Sequence, residues 1–281
     1  MHVYISVDME GIGGIATLDQ VVRGGHGYPR AQQLMTAETN AAIAGAFDGG
    51  ATAVLVNDSH GTMDNLLHDE LDPRARLIFG KPKLDCMAEG LSAEHDVAFF
   101  LGYHAAAGAP GVLAHTYSSH FLQVRLNGEP MSEAAGNALQ AAAAGVPIGL
   151  LTGDDVICAE AAGRFPGIRC VEVKKAHGFS AANSLAPSVC RELIRQAAAE
   201  AVAGVAGLPA LQLPARLAVE VDMPNPSAAE IAAMTPGVER IGDKTISAVY
   251  TDPRDLLGLI TICYEFANSA VRARMALVNR T

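Results

Sequence analysis

Short apolar runs alternate with longer helical stretches along most of this 281-residue chain. Five of these runs have the length of buried β-strands and cover residues 2–7, 52–57, 96–103, 146–151 and 168–173. Helices are predicted between them, near 29–49, over about 132–144 and over 153–163. Strands that alternate with helices are typical of βαβ units. We therefore predict an α/β fold with a mostly parallel sheet flanked by helices.

The alternation breaks down around residues 207–216, where two prolines interrupt the helical pattern. Beyond them the sequence predicts strands at 216–222 and 245–250 and a last helix at 254–270. This tail is either a smaller α+β unit or the closing part of the same sheet. We divide the chain into an α/β domain over 1–208 and a smaller α+β C-terminal unit over 209–281.

The composition is apolar, with 50% hydrophobic and 18% charged residues. Alanine-rich stretches such as AGNALQAAAAG and IRQAAAEAVAGVAG contribute much of this character. Buried helices in a three-layer fold, or faces buried against other subunits, would both explain it. Neither stretch approaches the roughly 18–20 strongly apolar residues of a membrane span. The segment MHVYISVDME has the pattern of a strand and not of a signal peptide, so we expect a cytoplasmic protein without membrane contact.

Charge and cysteine content exclude further classes of protein. The formal net charge is −10 and no cluster of Lys or Arg stands out, which argues against a nucleic-acid partner. The five cysteines are scattered and form no C-x-x-C pair, so neither a disulfide framework nor a cysteine zinc site is indicated.

The segment SVDMEGIGGIA, residues 6–16, fits the G-x-G-x-x-A pattern of a dinucleotide-binding turn through Gly11, Gly13 and Ala16. Its context argues against that function. The carboxylates of Asp8 and Glu10 would repel a pyrophosphate, and four glycine and proline residues interrupt the region where a Rossmann helix should continue. We expect the glycines to form a flexible turn. The segment GVERIGDKT (237–245) resembles a P-loop but leads into a predicted strand, so we interpret it as a turn.

Acidic residues and histidines follow three successive strands of the predicted sheet. Asp8 and Glu10 follow the first strand, Asp58 and His60 the second, and His104 the third. Because ligands bind beyond the carboxyl ends of the strands in open α/β sheets, these side chains converge if the strands are neighbours. Each residue taken alone is also compatible with an ordinary polar turn.

A further carboxylate, Glu133, lies at the start of the helix after Pro130, where the helix dipole alone would also favour an acid. Two histidines and three carboxylates exceed the needs of one catalytic zinc and suit a site for two metal ions. Imidazole with carboxylate and no thiolate favours zinc, with manganese or cobalt as alternatives.

Several ordered motifs resemble the DppA-type zinc-dependent D-aminopeptidases. They are SVDMEG (6–11), VNDSHG (56–61), LGYHA (101–105), PGVLAH (110–115) and the glutamate at 133. A looser similarity continues through GDD (153–155), SLAPS (184–188) and MTPGVER (234–240). The resemblance implies two zinc ions per subunit, with Asp8 bridging both, Glu10 and His104 completing one site, and His60 and Glu133 completing the other.

The resemblance also implies a reaction and an assembly. It implies hydrolysis of N-terminal residues, in particular D-amino acids, from short peptides by metal-activated water, with the 1–208 domain as the catalytic one. It implies that His115 is catalytic, as the nucleophile proposed for the family, although general acid–base catalysis or oxyanion stabilisation is an equally good role for it. It further implies a ring-like homo-oligomer, a decamer.

Two other functions stay open. A two-metal phosphoesterase would use the same ligands, but it should also have Arg or Lys close by to clamp a phosphate, and no such pattern is present. The other is a non-catalytic protein that binds metal or peptide. The preference for D- over L-residues rests on the resemblance alone.

Overall fold

The structure is a computed structural model that describes residues 1–278, so the last three residues of the predicted C-terminal unit lie outside it. The chain forms two compact units. The first comprises residues 1–105, 110–113 and 137–213, and the second comprises 106–109, 114–136 and the chain from Pro214 onward. Residues 114–136 therefore group with the C-terminal residues, whereas the division at residue 208 assigns them to the first domain.

In chain order the strands are β1 (His2–Val7), β2 (Ala53–Asp58), β3 (Ala75–Ile78), β4 (Val97–Tyr103), β5 (Gln123–Leu126), β6 (Glu129–Pro130), β7 (Ile148–Asp154), β8 (Arg169–Gly178), β9 (Ala181–Ser184), β10 (Leu217–Asp222), β11 (Glu239–Arg240) and β12 (Thr245–Tyr250). The α-helices are α1 (Leu18–Val21), α2 (Tyr28–Asp48), α3 (Glu133–Ala144), α4 (Asp155–Arg164), α5 (Pro187–Ala203), α6 (Pro226–Ala232) and α7 (Pro253–Val278). The strands and helices predicted from the sequence all appear, most of them with ends shifted by one to three residues.

The first unit contains a seven-stranded sheet with the order β3-β2-β1-β4-β7-β8-β9. All neighbouring strands are parallel except β8 and β9. This architecture confirms the predicted fold class. The chain moves outward from β1 to β2 and β3, and then returns to β4 on the other side of β1. The switch point of the topology, where α/β proteins bind their ligands, is therefore the gap between the ends of β1 and β4.

Helices α2 and α5 pack against each other over the buried face of this sheet, which carries Val3, Ile5 and Val7. They approach closely: a Cβ atom at Gly45 of α2 would lie 2.2 Å from the carbonyl oxygen of Arg195 in α5. The alanine-rich composition of α5 thus serves helix packing inside the chain. None of the helices within residues 1–278 is both long and apolar enough to cross a membrane.

The second unit is built on a five-stranded antiparallel sheet with the order β11-β12-β10-β5-β6, packed against α6 and α7. The strand pair of β5 and β10 joins residues that lie nearly a hundred positions apart, which the sequence pattern did not predict. Arg125 on β5 binds both carboxylate oxygens of Asp222 on β10. The P-loop-like segment forms β11 and the turn into β12, as interpreted from the sequence.

Candidate metal centre

Three predicted ligands meet at the switch point of the first sheet. Asp8 and Glu10 follow β1, and His104 follows β4, which pairs with β1 so that Val7 lies opposite Leu101. One ligand atom from each of these residues lies within 4.8 Å of the others. All three side chains are buried, with 1–4% of each residue exposed. Two buried carboxylates and an imidazole in such proximity have the donor chemistry of a divalent cation site.

His60 joins this cluster from the other neighbour of β1. Val7 pairs with Asp58 at the end of β2, and His60 follows two residues later. Its Nδ1 lies 3.0 Å from Oε2 of Glu10 and 3.3 Å from Oδ1 of Asp8. The second oxygen of Asp8, Oδ2, lies 3.3 Å from Nε2 of His104. Asp8 therefore presents one carboxylate oxygen to each histidine.

Backbone carbonyls fix the orientation of both imidazole rings. Nε2 of His60 lies 2.8 Å from the carbonyl oxygen of Val21, and Nδ1 of His104 lies 3.0 Å from that of Ala105. Because a carbonyl oxygen only accepts, each of these nitrogens carries the proton. In the neutral rings the lone pair is thus on Nδ1 of His60 and on Nε2 of His104, the atoms that face Asp8. A hydrogen bond of this kind on the far nitrogen is usual for histidines that bind metals.

The carboxylates also set the charge of His60. Burial alone would lower the pKa of His60, but the negative charges and hydrogen bonds of Glu10 and Asp8 outweigh burial and raise that pKa well above its ordinary value. The cluster thus favours positive charge beside its two acids. A divalent cation supplies that charge directly, so the residues fit a metal site.

The loop that carries Glu10, residues 9–16, is held by two ionisable side chains that sequence reasoning missed. Glu38 of α2 accepts a hydrogen bond from the backbone N–H of Gly13 at 2.9 Å, and burial raises the pKa of Glu38 to about 7. Lys174 of β8 donates to three carbonyl oxygens of the loop. The sequence gives no clear signal for this lysine, because three of the six residues of VEVKKA (171–176) are charged.

Close packing explains two glycines of the same loop. A Cβ atom at Gly11 would lie 2.0 Å from the carbonyl oxygen of Tyr103, and one at Gly13 would lie 2.6 Å from Sγ of Cys190. Gly11 also donates its N–H to the carbonyl of Gly102. The glycines thus allow the backbone to approach its neighbours, where the sequence suggested a flexible turn.

The last two predicted site residues, His115 and Glu133, lie in the second unit. Ser132 caps α3 by accepting a hydrogen bond from the N–H of Ala135, and Glu133 is the first residue of this helix. Oε1 of Glu133 accepts a hydrogen bond from the N–H of Tyr117 and lies 3.7 Å from Nε2 of His115. Within this unit the carboxylate therefore holds the loop that bears the histidine.

Other acids near the strand ends have structural partners. Asp58 accepts hydrogen bonds from the backbone N–H groups of Asn65 and Leu66, so it orders the loop after β2. Asp154 of the GDD segment caps α4 through the N–H groups of Val156 and Ile157. This capping interaction accounts for Asp154 without a metal ion.

Comparisons with known proteins agree on one family. The family model described as D-aminopeptidase, Peptidase_M55, matches residues 1–262. A D-aminopeptidase of Bacillus subtilis (strain 168) is 35% identical over 268 residues, which cover 95% of this chain and 98% of that protein. A solved structure, described as the Zn-dependent D-aminopeptidase DppA from Bacillus subtilis, a self-compartmentalizing protease, superimposes with a TM-score of 0.91 at 35% identity, over 95% of this chain and 98% of that one. The chain belongs to the Peptidase_M55 family of D-aminopeptidases and is a peptide-bond hydrolase.

Proposed function

We propose that this chain is a two-zinc aminopeptidase that removes N-terminal D-residues from short peptides. The observation that carries the two-ion proposal is the position of Asp8. Its two carboxylate oxygens each lie 3.3 Å from a different histidine, His60 on one side and His104 on the other. A carboxylate flanked in this way could supply one oxygen to each of two ions.

The remaining ligands follow from the family resemblance. Glu10 and His104 would complete one zinc site, and His60 and Glu133 the other. The cluster of Asp8, Glu10 and His104 supports the first assignment. The distance of 3.0 Å between Nδ1 of His60 and Oε2 of Glu10 also allows His60 to share an ion with Glu10. The set contains imidazole and carboxylate without thiolate, which favours zinc and is compatible with manganese or cobalt.

The residues of the chain have separate tasks in the reaction. When bound, the zinc ions would polarise the scissile carbonyl and lower the pKa of the attacking water. The hydrogen bonds from His60 to Val21 and from His104 to Ala105 keep the ligand lone pairs aimed inward. The buried carboxylates of Asp8 and Glu10 would also attract the cationic amine of a peptide N-terminus.

His115 would move protons during peptide-bond cleavage. Its side chain is 19% exposed, so it remains accessible to a substrate, and Glu133 lies 3.7 Å away. An imidazole at this position can first accept a proton and then donate it, as peptide-bond cleavage requires. We therefore assign His115 as the general acid–base group.

Metal content and substrate choice test this proposal together. We expect purified protein to hold two zinc ions per chain by elemental analysis, to lose activity on chelation, and to regain it with zinc, manganese or cobalt. D- and L-alanine p-nitroanilides and p-nitrophenyl phosphate distinguish the candidate activities, and we expect turnover of the D-anilide alone. Turnover of the phosphate ester would instead identify a phosphoesterase, and metal binding without any turnover would identify a binding protein.

Replacement of Asp8 tests the bridging role directly. Asp8→Asn keeps the size of the side chain but removes its charge, so we expect the zinc content to fall below two per chain and activity to be lost. The matched control is Asp243→Asn, which changes an exposed aspartate in the turn before β12. Full zinc content in Asp8→Asn would exclude the bridge.

We also propose that the chain forms a homo-oligomer, the ring-like decamer that the family resemblance implies. The solved relative is described as a self-compartmentalizing protease, which supports an assembly that encloses its active sites. A cytoplasmic location stays a prediction from the sequence.

A further inference from the structure

Lys174 lies in an unusual position for a lysine. Only 2% of its surface is exposed, and its Nζ donates to the carbonyl oxygens of Glu10 at 2.5 Å, Ile12 at 2.9 Å and Ile15 at 2.5 Å. An ammonium group has three N–H donors. All three are therefore used on a single loop, the one that carries Glu10.

An irregularity in β8 directs this side chain inward. Gly153 of β7 pairs with Glu172, but the next residue, Asp154, pairs with Lys174, so Val173 is an extra residue in β8. Side chains normally alternate between the two faces of a strand. Here Val173 and Lys174 are both buried, whereas Lys175 is exposed. Bulges of this kind commonly redirect a side chain beside an active site.

Stability alone does not account for a buried lysine. Burial of a charge is costly, and an apolar side chain of the same size often stabilises a core better. The ammonium achieves what an apolar side chain cannot, because it brings three carbonyls to one point. One of them belongs to Glu10, and the direction of the Glu10 backbone determines where its carboxylate points.

We propose that Lys174 is a positioning residue for the metal centre, since its ammonium fixes the backbone of Glu10 and thereby places the Glu10 carboxylate for zinc binding. This inference rests on the proposed role of Glu10 as a zinc ligand. Glu38 supports the same loop from the side of α2 through Gly13. Lys174 differs from Glu38 because it holds the ligand residue itself.

The test compares Lys174→Met with Lys175→Met, which removes the neighbouring lysine from the exposed side of the same strand. Zinc affinity is measured by competition with a chelating dye, and thermal unfolding is measured in chelator. We expect zinc binding in Lys174→Met to weaken by about 10–100-fold, the range typical for loss of a group that orients a metal ligand. Lys175→Met should bind zinc like the wild type. Turnover of the D-anilide at saturating zinc should show a lower kcat with little change in KM.

A purely structural role has a different signature. It would lower the unfolding temperature of the metal-free protein and leave zinc affinity unchanged, and that result would overturn the proposal. If Lys174→Met does not fold, Lys174→Ala is refolded with n-propylammonium, which replaces the missing end of the side chain. Zinc affinity should then rise with the concentration of the amine, whereas a constant affinity would contradict the proposal.

The outcome is separable from that of the proposed function. If the wild type binds no zinc and cleaves no peptide analogue, the proposed function fails whatever Lys174 does. If the wild type binds zinc and Lys174→Met binds it equally well, only the role of Lys174 fails.

Discussion

At the scale of single residues, the structure distinguishes acidic residues that can bind a metal ion from acidic residues that stabilise the fold. Asp8 and Asp58 both lie at the ends of neighbouring strands. The carboxylate of Asp58 accepts hydrogen bonds from two backbone N–H groups of its own loop. That of Asp8 accepts one from Met9 and also faces two histidines. A position at the end of a strand is therefore not sufficient to identify a metal ligand. The partners of each oxygen decide the role.

His115 gives the sharpest prediction at this scale. His115→Ala should fold and keep its full zinc content, but turnover should fall by about 10²–10⁴-fold, the usual contribution of a general acid–base group. The measurement is kcat for the D-anilide at saturating zinc. His120→Ala, five residues along the same segment, is the matched control and should retain near-normal turnover. Normal turnover in His115→Ala would exclude the assigned role.

At the scale of elements, the loop after β1 is as important as the residues it carries. The carbonyl of Tyr103 at the end of β4 lies so close that Gly11 has no space for a side chain. We expect Gly11→Ala to destabilise the protein by at least about 1–3 kcal/mol, because extra atoms in a packed core force the backbone apart. Urea unfolding in chelator measures this effect.

A second glycine is the control for this substitution. Gly163 lies in α4, and a Cβ atom there would have no heavy atom within 4 Å. Gly163→Ala should therefore stabilise the helix by roughly 0.5–1 kcal/mol. If both variants changed stability equally, the close approach at Gly11 would not be the cause.

Glu38 makes the stability of the same region depend on pH. Burial raises its pKa from 4.5 to about 7, so the folded state holds a proton that the unfolded state releases between these values. The contribution of Glu38 is thus complete below pH 4.5 and is lost as the pH rises through about 7. The loss amounts to at most roughly 3 kcal/mol.

Glu38→Gln isolates this contribution, because the amide oxygen can still accept the hydrogen bond of Gly13. The unfolding free energy of the wild type, measured in chelator, should fall relative to that of Glu38→Gln between pH 4.5 and 8. Parallel pH profiles for the two proteins would contradict the prediction.

The same elements show what local sequence can predict. Apolar runs predicted five strands of the first sheet but missed the short strands β3 and β9. The strand ends pointed to Asp8, Glu10, His60 and His104 as candidate ligands, because that signal is local too. The pairing of β5 with β10 is not local, since nothing in the sequence of either strand identifies the other as its neighbour. Lys174 was missed for a similar reason: it enters the interior only through the extra residue in β8, which a period-two pattern cannot reveal.

At the scale of the whole molecule, the exposed apolar side chains suggest that part of the surface is buried against other chains. Several large apolar side chains are strongly exposed among the described residues, with Leu84 at 89% and Met234 at 80%. Half of the residues are hydrophobic, so apolar surface is available for contacts between chains. These features fit the proposed homo-oligomer.

Light scattering coupled to size-exclusion chromatography tests the assembly. One chain has a mass of 29.2 kDa, so a decamer would have a measured mass near 290 kDa, ten times that value. We expect a single species of high mass at micromolar concentration that persists on tenfold dilution, because an assembly that encloses active sites must outlast many turnovers. Substitution of the exposed apolar side chains tests whether they form the contacts between subunits. Leu84→Asp or Met234→Asp should reduce the measured mass if that residue is buried between subunits. A mass of 29.2 kDa at every concentration would show that the exposed apolar surface serves another purpose and that the sites open directly to solvent.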